Sequence, residues 1–197
     1  MGKTAARPLR ADAERSVRAI LEAAERVLAA DPGASLEQIA EAAGVARTTV
    51  HRRFANRRAL IEALAESAVG QLSEAVEDGR PDTTPPLVAL HRITANVLRV
   101  KGAWSFALGR PADEGGAAAA GWDEIGARCV ELLGRARDEG LLAPTADLDW
   151  VRRVYYALIG EALHGDTRDQ DPDTLATLVV DTLLYGTGRR DAGRHGA

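Results

Sequence analysis

The sequence predicts an all-α protein, and three observations carry that expectation. Hydrophobic residues make up 46% of the 197-residue chain and aromatics only 4%, so the core must be built chiefly from Ala, Leu and Val. Ala and Leu lose little on entering a helix, whereas sheets favour branched and aromatic residues. Apolar residues recur at helical spacing through most long segments, with Gly and Pro falling between them. No segment reads as a strand, and no internal repeat is present.

The elements follow in order. Residues 1–11 are polar, carry no periodicity and are expected to form a flexible basic arm. From Asp12 onward, Val17, Ile20, Leu21, Ala24, Val27 and Leu28 mark a first helix, which Asp31, Pro32 and Gly33 end. Ser35 is placed to cap a second helix, Leu36 to Ala43, closed by Gly44. A third short helix runs from about Arg47 to Phe54, and Asn56 caps a fourth that continues to Asp78. Gly79 to Pro86 is punctuation, and Thr84-Pro85 has the cap-then-first-residue form that opens a fifth helix. Leu87, Leu90, Ile93, Val97 and Leu98 lie on that helix, which is expected to run toward Trp104. Residues 109–121, rich in Gly and Ala, are expected to form a mobile loop. A helix from Trp122 to Glu139 follows, ended by Gly140. Asp147 caps a helix over 148–164, where Val151, Val154, Tyr155, Leu158, Ile159, Ala162 and Leu163 keep i, i+3, i+4, i+7 spacing. Asp171-Pro172 opens the last helix, over 172–185, with Leu175, Leu178, Val179, Thr182 and Leu183 on its apolar face. The segment after Gly186 is expected to fray.

Composition narrows the function classes. Cys129 is the single cysteine, so no disulfide forms within the chain and a reducing, cytoplasmic setting is expected. No run of about 18 apolar residues is present, which excludes a membrane-spanning helix and a membrane partner. The net charge of −4 conceals an asymmetry: residues 1–60 hold 11 basic against 7 acidic residues, and the remainder 14 against 22. A basic head on an acidic body suggests that the head faces nucleic acid. Glu161 and His164 stand i, i+3 on one helix, half of a di-iron motif, but no second copy exists. Neither a phosphate-cradling Gly loop nor a serine elbow is present. No catalysis, metal or cofactor is expected.

The informative stretch is Ser35 to Leu60, SLEQIAEAAGVARTTVHRRFANRRAL. A helix-turn-helix needs two short helices crossing steeply through a turn with little room for side chains. Ala40 supplies the small residue at the crossing, Gly44 the turn and Val50 the apolar contact back, with Ile39 and Val45 filling the space between. Arg47, Thr48, Thr49, His51, Arg52 and Arg53 are then free of core duty, and Thr and Arg are residues that contact base edges and phosphates in the major groove. On these residues alone, two short helices of an α-bundle remain as good a reading.

Ile39-Ala40, Ala43-Gly44-Val45, Phe54, Asn56-Arg57 and Leu60 stand in register without gaps, and over about residues 14–64 the chain resembles the TetR family of tetracycline repressor-like regulators. The resemblance implies a three-helix helix-turn-helix DNA-binding domain over 12–60, a larger helical ligand-binding and dimerisation domain over 61–190, a tail over 191–197, and about nine helices in all. It implies that Arg47, Thr48 and Thr49 face bases, that His51 and Arg52 bind backbone or bases, and that Arg57 meets a phosphate beside a helix N-terminus. Arg53 and Arg58 are expected to be solvated. Two positions depart from the family. His51 stands where Tyr is usual, and Ala46 where Ser or Thr commonly caps the recognition helix, a loss of about 1 kcal/mol.

The family also places a small-molecule cavity among its middle helices. Here the bulky and polar candidates for its lining are His91, Trp104, Phe106, Trp122, Cys129, Trp150 and Tyr155, for each of which ordinary core packing is the competing reading. Their aromatic character suggests an apolar or flat effector. The helices over 148–164 and 172–185 correspond to those that pair across a two-fold axis in the family, which implies a homodimer. The resulting expectation is a ligand-released repressor acting on a palindromic double-stranded DNA operator. The rival is a helical small-molecule-binding or protein-interaction module that has lost operator binding, which His51 and Ala46 favour.

Overall fold

Short-range chemistry sets where the helices begin. Ser35 and Gln38 form a reciprocal box: the Ser35 hydroxyl accepts from the Gln38 N–H at 3.3 Å, and the Gln38 side chain accepts from the Ser35 N–H at 2.7 Å. Asn56, Asp147 and Asp171 each accept backbone N–H bonds at the starts of later helices. Ala46 makes no such bond. The computed structural model describes residues 6–100, 117–164 and 170–186. They form eight helices and, among the described residues, no strand: α1 (Ala6–Ala30), α2 (Leu36–Ala42), α3 (Arg47–Arg53), α4 (Arg57–Asp78), α5 (Pro86–Arg99), α6 (Ala117–Asp138), α7 (Leu148–Ala162) and α8 (Pro172–Tyr185). None of these helices is long and apolar enough to cross a membrane.

Three helix starts differ from the sequence expectation, and α5 ends at Arg99 instead of running on toward Trp104. Helix α1 begins at Ala6, so half of the stretch expected as an arm is helical. Pro8 lies in its first turn, where a missing N–H breaks no helical bond. Helix α5 begins at Pro86 and not Pro85, because Thr84 belongs to the preceding turn, where its N–H donates to the Arg80 carbonyl at 3.1 Å. Helix α6 begins at Ala117, ahead of Trp122, since four consecutive Ala residues are strong helix formers. The remainder of the expected 109–121 loop lies outside the described residues.

Two cores form, and α4 belongs to both. In the head, Ile20 and Ala24 of α1, Ile39 and Ala40 of α2, Val50 of α3, and Leu60 and Leu64 of α4 pack together with Phe54. In the body, Ala68, Leu72, Ala75 and Val76 of the same α4 join Leu90, Leu98, Leu133, Ile159, Leu175 and Val180. Each fully buried Leu contributes about 1.5–3 kcal/mol relative to exposure. The head core thus runs past residue 60, and α4 is a rod whose two ends are fixed in different cores. Helix α5 lies against α8, and α7 packs between α6 and α8.

Two arginines staple α6 to the turn between α4 and α5. Arg135 donates to the Pro81 carbonyl and, at 3.0 Å, to the Thr84 carbonyl. Arg128, seven residues earlier on the same face, pairs with Glu77 and, at 3.3 Å, with Asp82.

Candidate nucleic-acid interface and effector cavity

The turn between α2 and α3 is built by a backbone that few residues adopt. Gly44 has φ +65°, and the Val45 N–H reaches back to the Ala40 carbonyl at 3.1 Å. A side chain there would be strained in the left-handed region. Ala40, 3% exposed, lets the helices approach, and Val50, with no exposure, anchors α3 to Ile20, Ala24 and Ile39. That anchoring decides which face of α3 remains outside. Arg47, Thr48, His51, Arg52 and Arg53 are exposed, while Thr49 is half-buried.

The exposed face is partly organised from within. Arg47 pairs with Glu37 of α2 at 2.7 Å, and its Nε donates to His51 Nε2 at 3.4 Å. Glu37 is held below the usual carboxylate range by its own backbone N–H, then by the Ser35 hydroxyl, with Arg47 a lesser cause. Arg58 pairs with Glu62 at 2.8 Å on the solvent side. Arg57, expected to meet a phosphate, also makes contacts inside the head. Its guanidinium donates to the Ala34 carbonyl and, at 2.5 Å, to the Pro32 carbonyl, so it braces the start of α4 against the α1–α2 turn. Two of its five N–H donors are thereby engaged inside the head.

A cavity of about 30 Å³ lies where α4, α5, α6 and α7 meet. That is room for one or two water-sized groups, so a larger molecule must open it. Leu72, Ile93, Ile125, Cys129, Tyr155 and Tyr156 contribute to its walls, and Arg128 lies at its border with the α4–α5 turn. The Tyr155 hydroxyl is 2.6 Å from that of Thr94, which also donates to the Leu90 carbonyl at 2.6 Å. Burial pushes the Cys129 thiol up to about 12 and raises both tyrosine hydroxyls further, so all three are neutral near pH 7. A wider hollow of about 650 Å³ lies between α1 and α4, walled by Glu14, Glu22, Glu25, Arg18 and Arg53 among others.

The sequence candidates divide against this geometry. Cys129 and Tyr155 line the cavity. Trp122 stands beside it, its ring centre 5.7 Å from that of Tyr156. His91 is half-buried on α5 but does not line it. Trp150 was expected in the lining and is instead 59% exposed, with the Arg153 guanidinium 5.4 Å from its ring centre. It sits in the first turn of α7 on the side turned from the bundle. Trp104 and Phe106 lie outside the described residues. Tyr156 and Arg128 were missed, because helical periodicity selected Tyr155 as the inward residue. Helix α7 is covered on two sides, however: Tyr155 meets Thr94 of α5, while Tyr156 meets Trp122 of α6. Leu178, on the apolar stripe expected of α8, is 59% exposed in the single chain. No cluster that could hold a metal exists among the described residues.

A recognition helix presented by a Gly turn, joined by one long helix to a helical body that encloses an apolar cavity, defines a helix-turn-helix transcriptional regulator. The model for bacterial regulatory proteins of the tetR family matches residues 20–64, and the chain belongs to the TetR family. It is 35% identical over 176 residues to the HTH-type transcriptional repressor LfrR of Mycolicibacterium smegmatis, covering 87% of this chain and 92% of that protein. The crystal structure of LfrR from Mycobacterium smegmatis in complex with proflavine superposes with a TM-score of 0.75 at 32% identity, over 90% of this chain and 98% of that one. PfmR, a TetR family regulator from Thermus thermophilus, shares the fold with a TM-score of 0.70 at 17% identity, over 86% and 99% of the two chains.

Proposed function

We propose that this chain is a ligand-released repressor that acts in the cytoplasm as a homodimer on a palindromic double-stranded operator. The observation that carries the reading is the exposed face of α3, where Arg47, Thr48, His51 and Arg52 stand opposite the buried anchor Val50. Arg47 and Thr48 are the base-facing residues, Thr49 contributing less because it is half-buried. His51 and Arg52 hold the backbone, and Arg57 positions α4 with its remaining donors toward phosphate. Trp150, Leu178 and Tyr185 leave apolar surface exposed on α7 and α8, which supports pairing with a second copy through the last two helices. The cavity between α4 and α7 is the effector site, a reading supported by the proflavine complex of the related repressor.

Selection of random duplex DNA against the purified protein, with affinity then measured at two salt concentrations, tests this directly. A palindromic consensus whose binding weakens steeply with salt is expected. Thr48→Ala shifts the preferred sequence, whereas Arg52→Ala weakens binding to all sequences alike. A folded dimer that enriches no sequence would refute operator binding and favour a ligand-binding module instead.

A further inference from the structure

Given operator binding through α3, the arrangement of side chains on its exposed face bears on which base is read. Arg47, the first residue of α3, pairs through Nη2 with Glu37 of α2 at 2.7 Å, and its Nε donates to His51 Nε2 at 3.4 Å. Nε and Nη2 form one edge of the planar guanidinium, so both partners hold the same side of it. Two of the five N–H donors are thereby used. Two on Nη1 and one on Nη2 remain, and together they make the end-on fork that fits a pair of acceptors.

Stability does not explain the arrangement. The Arg47 and Glu37 side chains are 65% and 45% exposed, and ion pairs so solvated contribute little. A carboxylate on a face turned toward phosphate also weakens attraction to DNA of any sequence. What the pair supplies is direction. Glu37 is the second residue of α2, whose start is fixed by the Ser35–Gln38 box, and α2 is held to α3 by the Gly44 turn and the buried Val50. A long side chain gripped at two points on such a unit has less freedom to lose on binding.

We propose that Arg47 reads a guanine in each half of the operator, and that Glu37 and His51 are positioning residues that aim its fork. Guanine presents two neighbouring acceptors in the major groove, O6 and N7, which a guanidinium meets with two parallel bonds. Adenine sets a donor, N6, beside its N7, and thymine offers the single acceptor O4. An Nε2 that accepts carries no proton, so the His51 proton sits on Nδ1 and can still be donated to a phosphate. The Glu37 charge thus exchanges general affinity for discrimination at one base pair.

Selection of random duplexes with the full-length protein gives the consensus, and fluorescence anisotropy then gives affinities for duplexes varied at each position. The wild type is expected to prefer guanine at one position of each half-site by roughly fivefold to 150-fold. Replacing that guanine by 7-deazaguanine, which pairs normally but lacks the N7 acceptor, should remove most of the preference. Arg47→Ala should abolish it there and leave the preferences at other positions. Glu37→Ala keeps the reading residue and should reduce the guanine preference by roughly twofold to tenfold, while random DNA is bound more tightly because a charge that repels phosphate is gone. Glu37→Gln restores an acceptor for Arg47 and should recover the preference. Arg47→Ala that weakens all sequences alike, as loss of a phosphate contact would, overturns the proposal. So does Glu37→Ala that lowers affinity for every sequence, as a merely structural role would, or that leaves the guanine preference intact. A folded wild type that enriches no sequence removes operator binding and the guanine reader with it, whereas a consensus with no Arg47-dependent guanine removes the reader alone.

Discussion

Thr94→Val will destabilise the protein more than Tyr155→Phe, although both remove the same hydrogen bond. Thr94 is 0% and Tyr155 3% exposed, so neither hydroxyl has water to fall back on. The Thr94 hydroxyl lies 2.6 Å from the Leu90 carbonyl and 2.6 Å from the Tyr155 hydroxyl. A carbonyl only accepts, so the single Thr94 proton goes to Leu90 and Tyr155 must be the donor to Thr94. Removing the tyrosine hydroxyl leaves Thr94 still bonded to Leu90, a loss of about 0.5–1.5 kcal/mol. Replacing Thr94 by the similarly shaped Val strands the buried Tyr155 O–H, a loss of about 1–3 kcal/mol, while the Leu90 carbonyl keeps its helical N–H partner. The double variant strands nothing and should be more stable than Thr94→Val alone. Urea unfolding of the ligand-free protein at one fixed concentration gives all four stabilities and their coupling. Equal or greater loss for Tyr155→Phe, or losses that simply add in the double variant, would refute this donor assignment.

Arg57→Ala removes two bonds to carbonyls of the α1–α2 turn. It should lower unfolding stability by about 1–3 kcal/mol and weaken binding to specific and random DNA alike, read by thermal melting and by titration with both DNAs. A methyl group at Gly79 would overlap the Ile93 side chain, whereas one at Gly70 in the middle of α4 meets nothing within 4 Å. Gly79→Ala is therefore expected to lose about 1–3 kcal/mol and Gly70→Ala to gain up to about 1 kcal/mol in the same unfolding assay. The Cys129 thiol is raised from 9.0 to about 12 by burial, so the folded state holds this proton more tightly than the unfolded state. Its contribution to stability is complete below pH 9.0 and is lost as pH climbs toward about 12, with Tyr155 and Tyr156 acting in the same direction above pH 10. Unfolding midpoints measured through the alkaline range should fall accordingly, and iodoacetamide should label Cys129 slowly in the folded protein and rapidly in urea.

The head was largely legible because its signals are local. Ser35, Gln38 and Asn56 act on backbone groups within three residues of themselves, and Gly44 satisfies a turn that its neighbours impose. The inward positions of the head, Ile39, Ala40 and Val50, followed from spacing for the same reason, since a short helix with one buried side leaves little choice. The body was less legible. Periodicity names a stripe on a helix but not what lies opposite it, and α7 has neighbours on two sides.

The sequence by itself therefore determined the all-α class, the helix caps and the Gly44 turn, because these rest on interactions within a few residues, and the resemblance to the family, not the spacing alone, singled out the helix-turn-helix. Only the tertiary structure decided that Tyr156 and Arg128 join Cys129 and Tyr155 around the cavity, that Trp150 and Leu178 face outward, and that Arg57 braces the head. Those outcomes depend on which helices meet, and the pairs that fix them, such as Thr94 with Tyr155 and Arg128 with Glu77, lie 61 and 51 residues apart in the chain.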